Sequence, residues 1–305
     1  LLFPHLHDAL PDDPVQMASL ADSAVAARRQ AERLHDDLRA RIAAERPDTV
    51  VLSCENQFRA FDATAMARLC QTCATLAETV EVAVYLRAPA PFFLSNVQQD
   101  VKKRPEFRWI SPSRVRDVLE PFVTHGPGPV TARRFARDAL VGGDAVTDFV
   151  TTWLPGLDPA ALSRGAAEEN SSVSAEAMAL LQEMFRGQRP LPGRYARDLK
   201  GLRKRIVALD AQLPGQTRPV LFDAVRDCVE ARVADLDWTD EVLGVRFPEM
   251  GAPALSRSEA ETLYAGLHDV ADICTVDAAR KEALWQAACD EARPLARLAR
   301  RLGLR

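Results

Sequence analysis

The sequence predicts an α/β protein: a parallel sheet flanked by helices, with a helical C-terminal extension. Three observations carry this. Short β-branched runs alternate with amphipathic stretches over the first half of the chain. The run "VEVAVYL" (80 to 86) leads straight into a segment opened by Pro89 and Pro91, a strand handing over to a proline-started helix. Beyond Ser172 almost every segment has helical spacing and no convincing strand follows.

Taken in order, residues 17 to 45 repeat Leu20, Ala27, Leu34, Leu38 and Ile42 at helical intervals, and Pro47 and Asp48 end the pattern. "TVVLS" (49 to 53) is short and apolar enough for a buried parallel strand. A helix over 63 to 77 precedes the strand 80 to 86, and a second helix runs from Pro89 to Arg104. "SPSRVRDVLEPFV" reads as a helix with Ser111 or Ser113 as its cap, "VTARRFA" (130 to 136) as a third strand, and 143 to 154 as a further helix. After residue 172, "SAEAMALLQEMF", "ARDLKGLRKRIVALDAQL", "VLFDAVRDCVEARVADL" and "EALWQAACDEARPLARLARRL" all have helical periodicity. The expected organisation is an α/β core over 1–187 and a helical region over 188–305.

Composition narrows the function classes. A chain of 305 residues that is 47% hydrophobic can bury a core. Its 39 basic and 43 acidic residues are interspersed, for a net charge of -4, which argues against a general nucleic-acid or membrane-surface binder. No apolar run reaches the roughly 20 residues needed to span a bilayer. No signal peptide is visible, so a cytoplasmic location is expected. Six widely spaced cysteines do not form a disulfide framework, and the Cys70/Cys73 pair sits in a helical segment with no partner motif for zinc. The five histidines have no spaced partners for a metal or a nucleophile. The cluster "KGLRKR" (200 to 205) reads as the basic face of a helix.

Three residues carry chemistry in this reading. Arg87 ends the strand 80 to 86, and Ser95 follows eight positions on. One reading makes Arg87 a surface arginine at a strand end. The other makes it an anion clamp, since a planar guanidinium matches a phosphate and Ser95 donates near the positive end of a helix. Glu55 closes "VVLSCE", where α/β enzymes place catalytic groups; it is either a cap or surface carboxylate, or a general base.

Four segments in order, "LSCE" (52 to 55), "YLRAPAPFFLS" (85 to 95), "ARRFARDALVGGDAVTDFV" (132 to 150) and "ENSSVSAEAMALLQEMF" (169 to 185), resemble the bacterial sulfotransferase-like family of P-loop proteins over about the first 185 residues. The resemblance implies a P-loop NTPase-like sulfotransferase core and 3'-phosphoadenosine 5'-phosphosulfate as sulfo donor. It implies that Arg87 and Ser95 bind the donor's 3'-phosphate and that Glu55 deprotonates an acceptor hydroxyl on a glycan, lipid or small metabolite. The family's phosphosulfate-binding loop, of the Lys-x-Gly-Thr-Thr type, does not occur in these residues; "LLFPHLHDAL" resembles the segment just downstream of it. Two alternatives stand beside this: an inactive sulfotransferase-fold interaction protein, and a P-loop small-molecule kinase, which expects acidic magnesium ligands. Asn170 or Ser171 is expected to cap a helix from Val173. Arg164 and Gly165 are too little to stand for the family's closing arginine-lysine-glycine element. Phe107, Trp109 and Trp153 are candidates to line an acceptor pocket, or core aromatics.

Overall fold

A computed structural model describes residue 6 and residues 23–53, 58–163 and 172–292. Among them are twelve α-helices and a two-stranded parallel sheet, so the chain is α/β in character but mostly helical.

The chain forms two compact units, each assembled from three segments. The first comprises Leu1–Leu86, Ser111–Leu140 and Ala234–Phe247. It holds α1 (Ala24–Glu45), α2 (Ala63–Ala74), β1 (Val82–Leu86), α4 (Arg114–His125), β2 (Val130–Arg134) and α9 (Leu236–Leu243). β1 and β2 pair in parallel from Val82↔Val130 to Leu86↔Arg134. Leu86, Val118, Leu119 and Val245 form the small core beside the sheet, with Val84, Ala132 and Trp238 against it. A second cluster joins Leu6, Phe61, Ala65 and Met66, where Phe61 meets Phe122 edge-on at 5.0 Å between ring centres.

The turn before β2 depends on Gly128. A Cβ built there would lie 1.9 Å from the Val80 carbonyl oxygen, so the two segments approach more closely than any side chain permits. Just beyond it, the Val82 amide donates to Pro129 O at 2.9 Å and starts the strand pairing. Gly128→Ala is expected to force this turn open and cost about 1–3 kcal/mol, read as a lower urea midpoint with an unchanged slope.

The expected strand at 49–53 is not formed. Those residues are irregular, and Val51 and Leu52 are each about half exposed, at 50% and 51%. A parallel strand is stabilised by a neighbour's hydrogen bonds and by burial on both faces. Among the described residues β1 and β2 pair with each other and the 49–53 run has no partner. The helices expected at 63–77, 89–104 and 143–154 form over shorter spans, as does the strand expected at 130–136.

The second unit comprises Arg87–Ile110, Val141–Val233 and Pro248–Arg305. It holds α3 (Pro89–Val101), α5 (Ala145–Trp153), α6 (Ala175–Phe185), α7 (Leu199–Asp210), α8 (Asp223–Ala231), α10 (Arg257–Ala265), α11 (Val270–Ile273) and α12 (Ala278–Ala292). α6 is its axis: Met178, Leu180 and Leu181 are wholly buried, and so is the polar Gln182. A helix buried on nearly every side must be surrounded, and α6 shares its core with Phe93, Val97 and Val101 of α3, Leu202 and Ile206 of α7, and Leu284 of α12. Gln182 is fully satisfied: its Nε2 donates to Pro105 O (2.9 Å) and His268 O (2.8 Å), and its Oε1 accepts from the Val270 amide (3.0 Å). The cap of α6 is Ser174, whose Oγ accepts from the Ala177 amide. Ser174, rather than the Asn170 or Ser171 expected from sequence, caps this helix, because it stands immediately before the first helical residue with extended backbone.

Candidate functional site

β1 ends at Leu86, whose carbonyl accepts from the Phe135 amide at 2.7 Å. Arg87 follows at once, and one residue later Ala88 is the N-cap of α3. No side chain caps this helix, and prolines stand at 89 and 91. Of the four positions at a helix start that lack an intrahelical acceptor, only Ala88 and Ala90 therefore carry an N–H. Backbone donors are scarce here, so an anion at this end would be met mainly by side chains.

Arg87 is half-buried, and its burial pulls the guanidinium below its ordinary pKa by stripping it of water. It stays a cation, and a partly desolvated cation attracts an incoming oxyanion more strongly than a fully hydrated one. Ser95 is also half-buried and lies in the second turn of α3, about 9 Å along the axis from Pro89. The core-facing residues of α3 are Ala90, Phe93, Val97 and Val101. At about 100° per residue, Ser95 falls away from that stripe. Arg87 and Ser95 both belong to the second unit, Arg87 just before the proline-started helix α3 and Ser95 on its outer face.

Glu55 lies outside the described residues, as do Asn170, Ser171, Arg164 and Gly165. The three aromatics proposed for an acceptor pocket have different fates. Phe107 packs against the main core of its unit. Trp153 stacks obliquely on Phe149 at 5.2 Å. Trp109 is 60% exposed, edge-on to Tyr264 at 5.0 Å. The buried Arg232 guanidinium sits 4.4 Å from the Trp109 ring centre and 3.5 Å from that of Tyr264. Its Nε donates to Glu261 at 3.0 Å and its Nη2 to Ile110 O at 3.3 Å. This arginine holds the Trp109 loop to α10, a cation–π arrangement that joins residues far apart in sequence.

The Cys70/Cys73 pair does lie on a helix, α2, and both thiols are half-buried. Cys70 Sγ donates to His125 O at 3.2 Å, and burial followed by the neighbouring Cys70 raises the Cys73 thiol. Both effects oppose metal-ligating thiolates, and no cluster of three metal-binding side chains occurs among the described residues. A cavity of about 480 Å³ beside α5 is lined by Thr147, Asp158, Pro159, Ala160 and Leu162. Among the described residues its lining carries an acid and no cation, which does not suit a phosphorylated ligand. Among the described residues no helix is long and apolar enough to cross a membrane.

No family model, no curated protein and no solved structure matches this chain.

Proposed function

We propose that this protein is sulfotransferase-like, moving a sulfo group from 3'-phosphoadenosine 5'-phosphosulfate to a hydroxyl of a glycan, lipid or small metabolite. The observation that supports it is the placement of Arg87 and Ser95: a partly desolvated guanidinium directly after the C-terminal end of a parallel strand, and a hydroxyl on the helix that follows. In this reading Arg87 grips the 3'-phosphate with its planar fork and Ser95 donates a further hydrogen bond. When bound, the donor supplies the sulfo group and departs as adenosine 3',5'-bisphosphate. Glu55 takes the proton from the acceptor hydroxyl as that oxygen forms its bond to sulfur. The P-loop-type core belongs to the same proposal.

Adenosine 3',5'-bisphosphate is expected to raise the melting temperature of the chain, because a ligand that binds the folded state stabilises it. No shift at millimolar ligand would sink the reading. Glu55→Gln should retain that shift while formation of adenosine 3',5'-bisphosphate falls by about 10²–10⁴-fold; full turnover in this variant excludes Glu55 as the base.

A further inference from the structure

The far end of α3 carries a second concentration of positive charge. Lys102 is the C-cap residue of this helix and Lys103 and Arg104 follow it. From α7, 101 positions further along the chain, the Arg203 guanidinium reaches across and donates from Nη1 to Lys102 O at 2.9 Å. Arg108 is also here, with its Nε 2.5 Å from Asp100 Oδ1, and Arg104 Nε lies 3.9 Å from the same oxygen. Of these five cationic side chains, Arg108 and Arg104 take up the buried carboxylate of Asp100. The exposed Glu106 pairs with none of them. Among the described residues Lys102, Lys103 and Arg203 have no acidic partner.

A helix C-terminus attracts cations through its carbonyls, and the Arg203 hydrogen bond answers that need. It does not account for two lysines beside it. Lys102 is half-buried, and its burial, then Arg203, then Lys103, pull its ammonium pKa down. Neighbouring like charges, one of them half-desolvated, are an arrangement that an oxyanion would relieve. In a chain of net charge -4 it is a local reversal of sign. The exposed Lys200 and Lys204 on the outer side of α7 extend the field.

We propose that Lys102, Lys103 and Arg203 form a second anion site at the C-terminal end of α3, which takes a phosphate-class oxyanion such as a phosphomonoester. It is separate from Arg87 and Ser95: Lys102 lies seven residues beyond Ser95, about 10 Å of helical rise, so no single phosphate is shared. Arg203 contributes the flat fork and the two lysines contribute point charges.

The test is a calorimetric titration of the full chain with inorganic phosphate at constant ionic strength. It is run on the parent, Lys102→Gln, Lys103→Gln, Arg203→Gln and Arg87→Ala. Lys102→Gln and Arg203→Gln should each weaken the dissociation constant about tenfold and Lys103→Gln about threefold. Arg87→Ala should leave this event within twofold. Lys103 is exposed and its side chain holds no structural bond, so its variant reads the charge alone should the other two fold poorly. Flotation with phosphatidic acid vesicles, against phosphatidylcholine vesicles, separates a lipid headgroup from a soluble ester as the source. Binding lost in Arg87→Ala but kept in the lysine variants overturns the second site and leaves the sulfotransferase reading standing. Absence of binding to both phosphate and phosphatidic acid overturns it outright.

Discussion

Replacing Arg280 with alanine should cost about 3–5 kcal/mol, a large fraction of the stability of a typical folded protein. Arg280 projects from the first turn of α12 into the junction of α6 and α7. Its Nη1 donates to Ser174 Oγ and Asp210 Oδ1, each at 2.8 Å, and lies 3.2 Å from Glu176 Oε2. Its Nη2 donates to Asp210 O at 3.0 Å and its Nε to Pro214 O at 3.1 Å. Asp210 is fully buried and Glu176 nearly so, at 0% and 5% exposure. Two carboxylates therefore depend on one guanidinium, aided by amides: Ser174 N donates to Asp210, and Asp277 N to Glu176. Removing the cation leaves both buried acids with neutral donors alone, Ser174 N, Ser174 Oγ and Gln216 Nε2 on Asp210 and Asp277 N on Glu176, and no charge to balance them, which is worse than never having had the pair. Chemical unfolding of Arg280→Ala checks this, and Arg280→Met with Asp210→Asn should recover part of the loss. A fully stable Arg280→Ala would mean that water enters the site and takes over the role of the guanidinium.

Arg87→Ala should remove most of the melting-temperature rise given by adenosine 3',5'-bisphosphate. Loss of a charge-assisted, bidentate contact weakens binding by about 10²-fold or more. A ligand held at 100 times its dissociation constant stabilises by about 2.7 kcal/mol, so such weakening removes most of the shift. Arg87→Lys should restore little, since an ammonium keeps the charge and loses the fork. Ser95→Ala should cost less, about 1 kcal/mol, as one hydroxyl donor is removed. A shift that survives in Arg87→Ala would assign the 3'-phosphate to other residues.

The helices and the strand-to-helix junction at Arg87 were legible because they rest on local physics. Periodicity marks α1, α7 and α12, and proline at a first helical position marks α3. Hydrophobic residues at helical spacing must be buried wherever the helix goes, so such segments declare themselves. The 49–53 run was misread for the complementary reason. Its β-branched residues are compatible with a strand, but a strand needs a neighbour, and local sequence does not say whether one will come. α6 was legible as a helix, whereas its place as the axis of a unit built with α3, α7 and α12 was not. The basic cluster on α7 read as an ordinary solvated face because Lys102 and Lys103, which make it a two-helix feature, are about a hundred positions away.

Apart from the short helices α9, α10 and α11, which it did not single out, the sequence by itself determined which described segments are helical, where β1 hands over to α3, and that an arginine and a serine eight residues apart flank that junction. These follow from side-chain period, proline geometry and the short reach of capping, all of which act within a few residues. Only the tertiary structure decided that the sheet among the described residues has two strands, that Arg280 joins α12 to acids on α6 and α7, and that Arg203 stands over the end of α3. Each of those brings together groups from distant parts of the chain, and their energies exist only once packing has excluded water from between them.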